Sequence, residues 1–383
     1  MIHLNSFFKK LFMSLIFFLI VFFSIFLFFF WIGEIGINRV VKQQLNDAKK
    51  NTLFLSGLNH DFFSYKVELL KQSNPEIIIL GSSRAFDVRQ EIFKKNIVNM
   101  SGSVRGVNDL SLIRDLLSVN HSNVKLVIIY FDPWWLNKNV SIKGGVDRIP
   151  YPEYLSFSTI FYSLKYLSHG NWIIESFKSN NLGIGAILNE AGFSGDGSFH
   201  RLKYLKDKEN FYDKKFNFTF KSIDNNESVL KKSLEVDQFL LIKACKVINE
   251  INNMNFKLII IYPPFAKEVW KKMSNLKGYD YISNSYNDLR DCAKNVNFYN
   301  YLKINNSLES SDCEFVDGTH AGDVLHARII KDISIKNDLL RDAIDTKFIE
   351  SFLFKEKGYA GAITKKKFLN NREVDFLDLG CDK

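Results

Sequence analysis

The chain has 383 residues, a formal charge of +9 and four cysteines. That length allows one large domain or two modest ones with a sizeable core. The lysines are scattered and accompany no RNA- or DNA-binding signature, so the charge reads as a solvated basic surface, one that suits anionic lipid or polysaccharide better than nucleic acid. Cys245, Cys292, Cys313 and Cys381 have no CxxC spacing, which argues against a zinc site and gives no obvious disulfide framework, although a single bridge fits an exported body.

The first predicted element is Leu11 to Ile32, an uncharged stretch rich in Phe, Leu and Ile. As a helix it would be roughly 33 Å long, enough to cross the hydrocarbon core of a bilayer. A signal peptide usually has a shorter apolar region and ends in small residues. This stretch runs into Trp31-Ile32-Gly33-Glu34 instead, and we read an uncleaved anchor. Lys9 and Lys10 precede it while Arg39 and Lys42 follow it; a short basic tail before a single span favours a cytoplasmic N-terminus and an exported body. Residues 1–10 are then a tail, 11–32 the anchor and 33–74 a polar, helical stalk leading away from the membrane.

From Glu76 short apolar runs alternate with amphipathic stretches. Glu76–Leu80, Ile97–Asn99, Leu126–Phe131, Lys257–Tyr262 and Val296–Tyr299 read as strands. Asp109–Val119 and Val236–Met254 read as helices, each with one apolar face. Strands alternating with helices imply an α/β fold, a parallel sheet covered on both faces, with ligand sites at the carboxyl ends of the strands. This domain spans 75–345. Pro133 to about Leu234 interrupts the rhythm with Trp134, Trp135, Trp172 and several glycines, and reads as an insertion roofing the active-site edge. Residues 346–383, with Lys365-Lys366-Lys367, form a basic amphipathic tail.

Two motifs carry chemistry. Gly81-Ser82-Ser83 follows the first strand, and Asp317-Gly318-Thr319-His320 comes late in the chain. Alone, a Gly-Ser-Ser turn can simply start a helix or bind phosphate. Together, a serine on a tight turn and a late Asp-x-x-His supply a nucleophile, a base and an orienting carboxylate. Ser83, entering the next helix with its N–H free, is the expected nucleophile; Ser82 is expected to bond locally and fix the turn. Asp323 and His326 repeat the spacing but fall in Gly322–Ile330, which reads as helix, so they are expected to be an ordinary surface pair. Asp317 and His320 precede that helix, in a loop, where catalytic groups are usually carried.

Gly81-Ser82-Ser83-Arg84, Asn99-Met100-Ser101-Gly102 and Asp317-Gly318-Thr319-His320 resemble the blocks of the SGNH (GDSL-type) hydrolase superfamily. The likeness is to its membrane-anchored branch, which serves teichoic-acid D-alanyl transfer and alginate O-acetylation, and it covers roughly residues 75–135 and 235–335. It implies a three-layer, flavodoxin-like sheet, Ser83 as nucleophile, and Asp317 and His320 completing the triad. The backbone N–H groups of Ser83 and Gly102 would form the oxyanion hole. It implies no metal or redox cofactor, a cell-envelope glycan as substrate, and a multi-spanning membrane O-acyltransferase as acyl donor. At the third block, where the family has Gly-x-Asn-Asp, the chain reads Phe131-Asp132-Pro133-Trp134, with no asparagine until Asn137. Losing one oxyanion donor costs about 10²–10³ in rate. Gly81-Ser82-Ser83-Arg84-Ala85 fits an α/β-hydrolase elbow only loosely, since that fold places several strands before its serine. An inactive anchored protein that holds a glycan with its aromatic insertion is the other reading of the same sequence.

Overall fold

Apolar runs bounded by polar turns form the central strands of this chain. The structure is a computed structural model that describes residues 2–47, 51–58, 62–119, 123–140, 172–202, 212–304, 308–368, 375 and 377–381. Its strands are β1 (Ile77–Gly81), β2 (Ile97–Asn99), β3 (Leu126–Tyr130), β4 (Ala191–Phe193), β5 (Phe199–Arg201), β6 (Lys257–Tyr262) and β7 (Asn297–Asn300). Five of them build one sheet in the order β2-β1-β3-β6-β7, with every pairing parallel. β1, β2 and β3 are buried along their whole length, as expected for strands covered on both faces.

Side-chain directions show how the helices flank this sheet. Tyr130 is paired with Ile261, so Tyr262 points to the opposite face. Tyr130 meets His326 of the helix Asp323–Lys336 edge-to-face at 5.3 Å. On the other side, the Tyr262 hydroxyl donates to the Ser285 carbonyl, in the helix Asp280–Cys292, at 3.0 Å. The chain leaves β1 for β2 at one edge, then returns across β1 to β3 and onward to β7. Strand order therefore reverses between β1 and β3, and the loops leaving their carboxyl ends diverge to open a crevice there.

Residues 33–74 do not stand apart as a stalk. They form the helices Ile37–Asn46 and Phe63–Ser73, whose Val40, Val41, Tyr65, Leu69 and Leu70 are buried against the body. Phe54 exchanges two 2.8 Å backbone hydrogen bonds with Phe193 of β4. Even Lys66 is buried, its ammonium donating to the carbonyls of Asn99, at 2.7 Å, and Gly197, and burial lowers its pKa well below the usual lysine range. The segment is polar on average because only one face of each helix is apolar, and that face is used.

The insertion supplies the β4–β5 hairpin and three helices, Trp172–Lys178, Ile184–Asn189 and Asn217–Asp224; its stretches 141–171 and 203–211 lie outside the described residues. The tail is folded as well. The helices Thr346–Lys355 and Ala362–Phe368 bury Ile349, Phe352 and Ile363. All four cysteines are paired, Cys245 with Cys292 and Cys313 with Cys381, two bridges where the sequence showed no obvious framework and was compatible with a single bridge.

The N-terminal helix runs from Ile2 to Ile32, and its portion Ser6–Ile32 is long and apolar enough to cross a membrane. It starts earlier than the uncharged stretch because Lys9 and Lys10 continue the same helix.

Candidate active site

β1 ends at Gly81, with φ of +151°, where a Cβ would lie 2.9 Å from the Tyr130 carbonyl oxygen. Only glycine lets the chain leave the sheet so close to β3. Ser82 follows in extended conformation, and its Oγ accepts the Arg84 N–H at 3.2 Å, capping the short 3₁₀ turn Ser83–Ala85. Ser82 bonds locally and fixes the turn, as the sequence suggested, and Ser83 is the first residue of that turn.

Ser83 Oγ lies 2.7 Å from His320 Nε2. His320 Nδ1 lies 2.7 and 2.8 Å from the two carboxylate oxygens of Asp317. With Nδ1–H donating to the carboxylate, Nε2 is left to accept the serine proton. The loop is closed on itself by the Val316 N–H donating to the His320 carbonyl at 2.8 Å. Asp317 also accepts the N–H groups of Thr319 (2.8 Å) and His320 (2.9 Å), the Thr319 hydroxyl (3.0 Å) and the Tyr212 hydroxyl. Burial alone would raise its carboxyl, but the His320 imidazole and these donors outweigh it and hold the pKa below the usual aspartate value. Burial and the neighbouring Asp317 carboxylate push the Tyr212 hydroxyl up, so it stays a donor.

The insertion braces this loop from outside. Asp213 accepts the Gly318 N–H at 2.9 Å and both the N–H and the hydroxyl of Thr219. A Cβ at Gly318 would lie 2.7 Å from Thr219 and 2.8 Å from Val269, so glycine is needed there for close approach.

Arg84 ties the separate blocks together. Fully buried, it donates to the carbonyls of Thr319 (2.9 Å), Pro263 (2.9 Å) and Pro264, and reaches Asp132 Oδ1 at 3.4 Å. Its guanidinium lies 4.3 Å from the centre of the Phe265 ring and 5.1 Å from that of Trp134. Burial lowers its pKa to about 10, against the opposing pull of Asp132; burial likewise raises Asp132, with Arg84 opposing. The third-block aspartate is therefore the partner of this arginine. Asn137 donates to the Lys231 carbonyl and accepts from Asn139, and it does not line the cavity beside Ser83.

That cavity, about 380 Å³, opens over Ser83 and His320 between Phe62, Phe86, Trp134 and Arg105. Arg105 is held by the buried Asp109 through its N–H at 2.8 Å and its Nε at 3.4 Å, while its Nη2 has no hydrogen-bond partner among the described residues.

Gly102 lines the same cavity, but its N–H donates to the Gly81 carbonyl at 2.9 Å. The expectation that it donates to an oxyanion is corrected: with φ of +81° the turn after β2 folds back on the end of β1 and uses that donor. The Ser83 N–H has no hydrogen-bond partner among the described residues and is the backbone donor that stays open.

The second Asp-x-x-His pair is corrected too. Asp323 and His326 are fully buried, not on the surface, and they do not pair. Asp323 accepts the N–H groups of Ala362 (3.0 Å) and Ile363 (2.9 Å), and the His326 ring packs on Tyr130. Among the described residues no cluster of three His, Cys, Asp or Glu side chains is placed to hold a metal ion.

Sequence reasoning missed the parts played by Arg84, Tyr212 and Asp213. Arg84 stood inside the quoted motif without a role, because a charged residue after a turn ordinarily faces water. Tyr212 and Asp213 have no local signal: they reach Asp317 and Gly318 only through the fold. Compared with known proteins, the chain matches no family model, no curated protein and no solved structure.

Proposed function

We propose that this chain is a membrane-anchored SGNH-like serine enzyme acting on acyl esters of a cell-envelope polysaccharide. The observation that carries the reading is the continuous relay from Ser83 Oγ through His320 to Asp317, at 2.7 Å on each side of the imidazole, set where strand order reverses. Counting only its own strands, the sheet has the order 2-1-3-4-5 of flavodoxin-like folds, which supports the fold the motifs imply. The long apolar N-terminal helix supports anchoring. Two disulfides favour an oxidising compartment for the body, hence a cytoplasmic N-terminus and exported residues 40–383. Protease added to spheroplasts should digest the body; full protection would reverse the orientation.

In this reading Ser83 Oγ attacks the acyl carbonyl carbon as His320 Nε2 takes the hydroxyl proton. Asp317 holds the imidazole in the required tautomer and stabilises its charged form. The Ser83 N–H donates to the oxyanion, with Arg105 at the cavity wall. His320 then gives its proton to the departing alkoxide, leaving an acyl-serine. Water, or a sugar hydroxyl, attacks that ester by the same route in reverse, giving hydrolysis or O-acyl transfer. A multi-spanning membrane acyltransferase is the donor partner this reading calls for in the transfer case.

A second reading, an inactive anchored glycan-binding or scaffolding protein, is favoured by one observation: the Gly102 N–H is taken by the Gly81 carbonyl. A serine-reactive fluorophosphonate separates the two. Stoichiometric labelling that disappears in Ser83→Ala and persists in Ser82→Ala supports the enzyme; absence of labelling in the native chain leaves the scaffold. Loss of envelope O-acylation on deletion identifies transfer, and a gain identifies an esterase.

A further inference from the structure

The short helix Trp172–Lys178 turns three large apolar side chains to solvent: Ile173 is 40% exposed, Ile174 52% and Phe177 68%. At about 100° per residue they fill one sector of the helix, flanked by the buried Ser176 on one side and by Glu175 and Lys178 on the other. Such a cluster alone names no partner, but its position does. The Phe177 ring stacks on Trp31 at 5.0 Å and lies 6.1 Å from Phe28. Its apolar surface adjoins the exposed Trp31, on the same helix as the exposed Leu27 and Phe30. At about 1.5 Å per residue, Phe28 and Trp31 lie within roughly 6 Å of the end of the span at Ile32, the depth at which aromatic side chains gather at a bilayer surface.

The joint between the span and the body beside this helix is built rather than loose. Buried Glu34, just past the span, accepts the Ser56 hydroxyl (2.7 Å) and the N–H groups of Gly57 (2.9 Å) and Ile184 (2.5 Å). Arg39 donates to the Phe30 and Trp31 carbonyls that end the span. Phe29, Ile32 and Ile35 pack with Ile184 and Ile187 of the neighbouring insertion helix. A bilayer that surrounds the span therefore meets Ile173, Ile174 and Phe177 at its surface.

We propose that the helix Trp172–Lys178 is a second membrane contact, its three apolar side chains entering the boundary between headgroups and acyl chains of the leaflet from which the span emerges. The body is then seated on the bilayer in one orientation. This rests on the reading of the N-terminal helix as a bilayer span, and the test separates the two. The full chain is reconstituted in liposomes of phosphatidylcholine and phosphatidylglycerol with single cysteines at Ile174→Cys, Phe177→Cys, Leu19→Cys in the span and Phe354→Cys, an 88% exposed position in the helix Thr346–Lys355. The native cysteines are all paired, so the introduced thiol alone takes a bimane label. With lipids brominated near the headgroup end of their chains, labels at 174 and 177 should lose at least half as much fluorescence as the label at 19, while 354 is unaffected. Quenching at 19 without quenching at 174 and 177 overturns the second contact and leaves the anchor standing. No quenching at 19 overturns the span itself, and this contact with it. Blue-shifted emission at 174 and 177 in native membranes but water-like emission in pure lipid assigns the face to a protein partner and also overturns the proposal.

Discussion

Asp317 and His320 lie in the loop that closes between Val316 and the helix Asp323–Lys336; Asp323 and His326 lie at the start of that helix, with the same residues at the same spacing. In the loop, the imidazole Nδ1 meets the carboxylate at 2.7 Å and its Nε2 meets Ser83 at 2.7 Å. In the helix, each side chain is captured by something else: Asp323 caps the backbone of Ala362 and Ile363, and His326 lies against Tyr130. Spacing does not make a relay. A loop can fold its carboxylate back over its own N–H groups and the ring three residues on, as Asp317 does; a helix holds i and i+3 on one face and lets the surrounding core choose their partners.

The sharpest way to break that comparison is to change one aspartate at a time. Asp317→Asn cannot hold the His320 tautomer that leaves Nε2 as base, and the rate of fluorophosphonate labelling should fall on the order of 10⁴-fold. Asp323→Asn should leave that rate within about twofold of native. Equal losses from both changes would mean the two pairs are functionally alike, and the assignment of 317 and 320 would fall.

A smaller effect is expected from Tyr212→Phe. The hydroxyl donates to Asp317 from the insertion, so its removal takes one charge-assisted hydrogen bond from the carboxylate, about 1.5–3 kcal/mol at most. Four other donor contacts, from the Thr319 and His320 backbone, the Thr319 hydroxyl and His320 Nδ1, remain. Labelling should slow by about tenfold, with the thermal midpoint little changed. A loss as large as that of Asp317→Asn would make Tyr212 indispensable to the relay rather than a support for it.

The same comparison marks what was legible in the sequence. β1, β2, β3 and β6 could be read because each is a largely apolar run between polar turns, and with β7 all fall within a residue of expectation. Ser83, Asp317 and His320 could be read as neighbours because a serine on a glycine turn after a strand and a loop-borne Asp-x-x-His fall at the same edge of a parallel sheet. Contacts with no local period were hidden. Lys66 and Arg84 look like surface charges until the fold surrounds them with carbonyls. Asp323 and His326 looked like a surface pair because i,i+3 charges on a helix ordinarily face water, whereas the C-terminal tail meets Asp323 and His326 turns onto Tyr130 of the sheet. The Gly102 N–H is spent because the turn after β2 doubles back onto Gly81, a detail of backbone direction that residue types do not carry.

The smallest expected effect concerns acid and base stability and belongs to the second pair alone. Burial pushes the Asp323 carboxyl up to about 7, against the pull of Arg89 and of the two N–H groups it accepts. A carboxyl whose native pKa exceeds its unfolded value, near 3.9, binds its proton more tightly in the folded state. Its contribution is therefore full below the unfolded value and is lost as pH rises through about 7. Asparagine does not titrate, so the gap in thermal midpoint between the native chain and Asp323→Asn should narrow from pH 5 to pH 8. His326, whose pKa burial lowers to about 4, changes in the opposite sense but is present in both proteins and drops out of the difference. A gap that widens over that range would mean Asp323 is held as a carboxylate, as Asp317 is, and the contrast between the two pairs would have to be drawn from geometry alone.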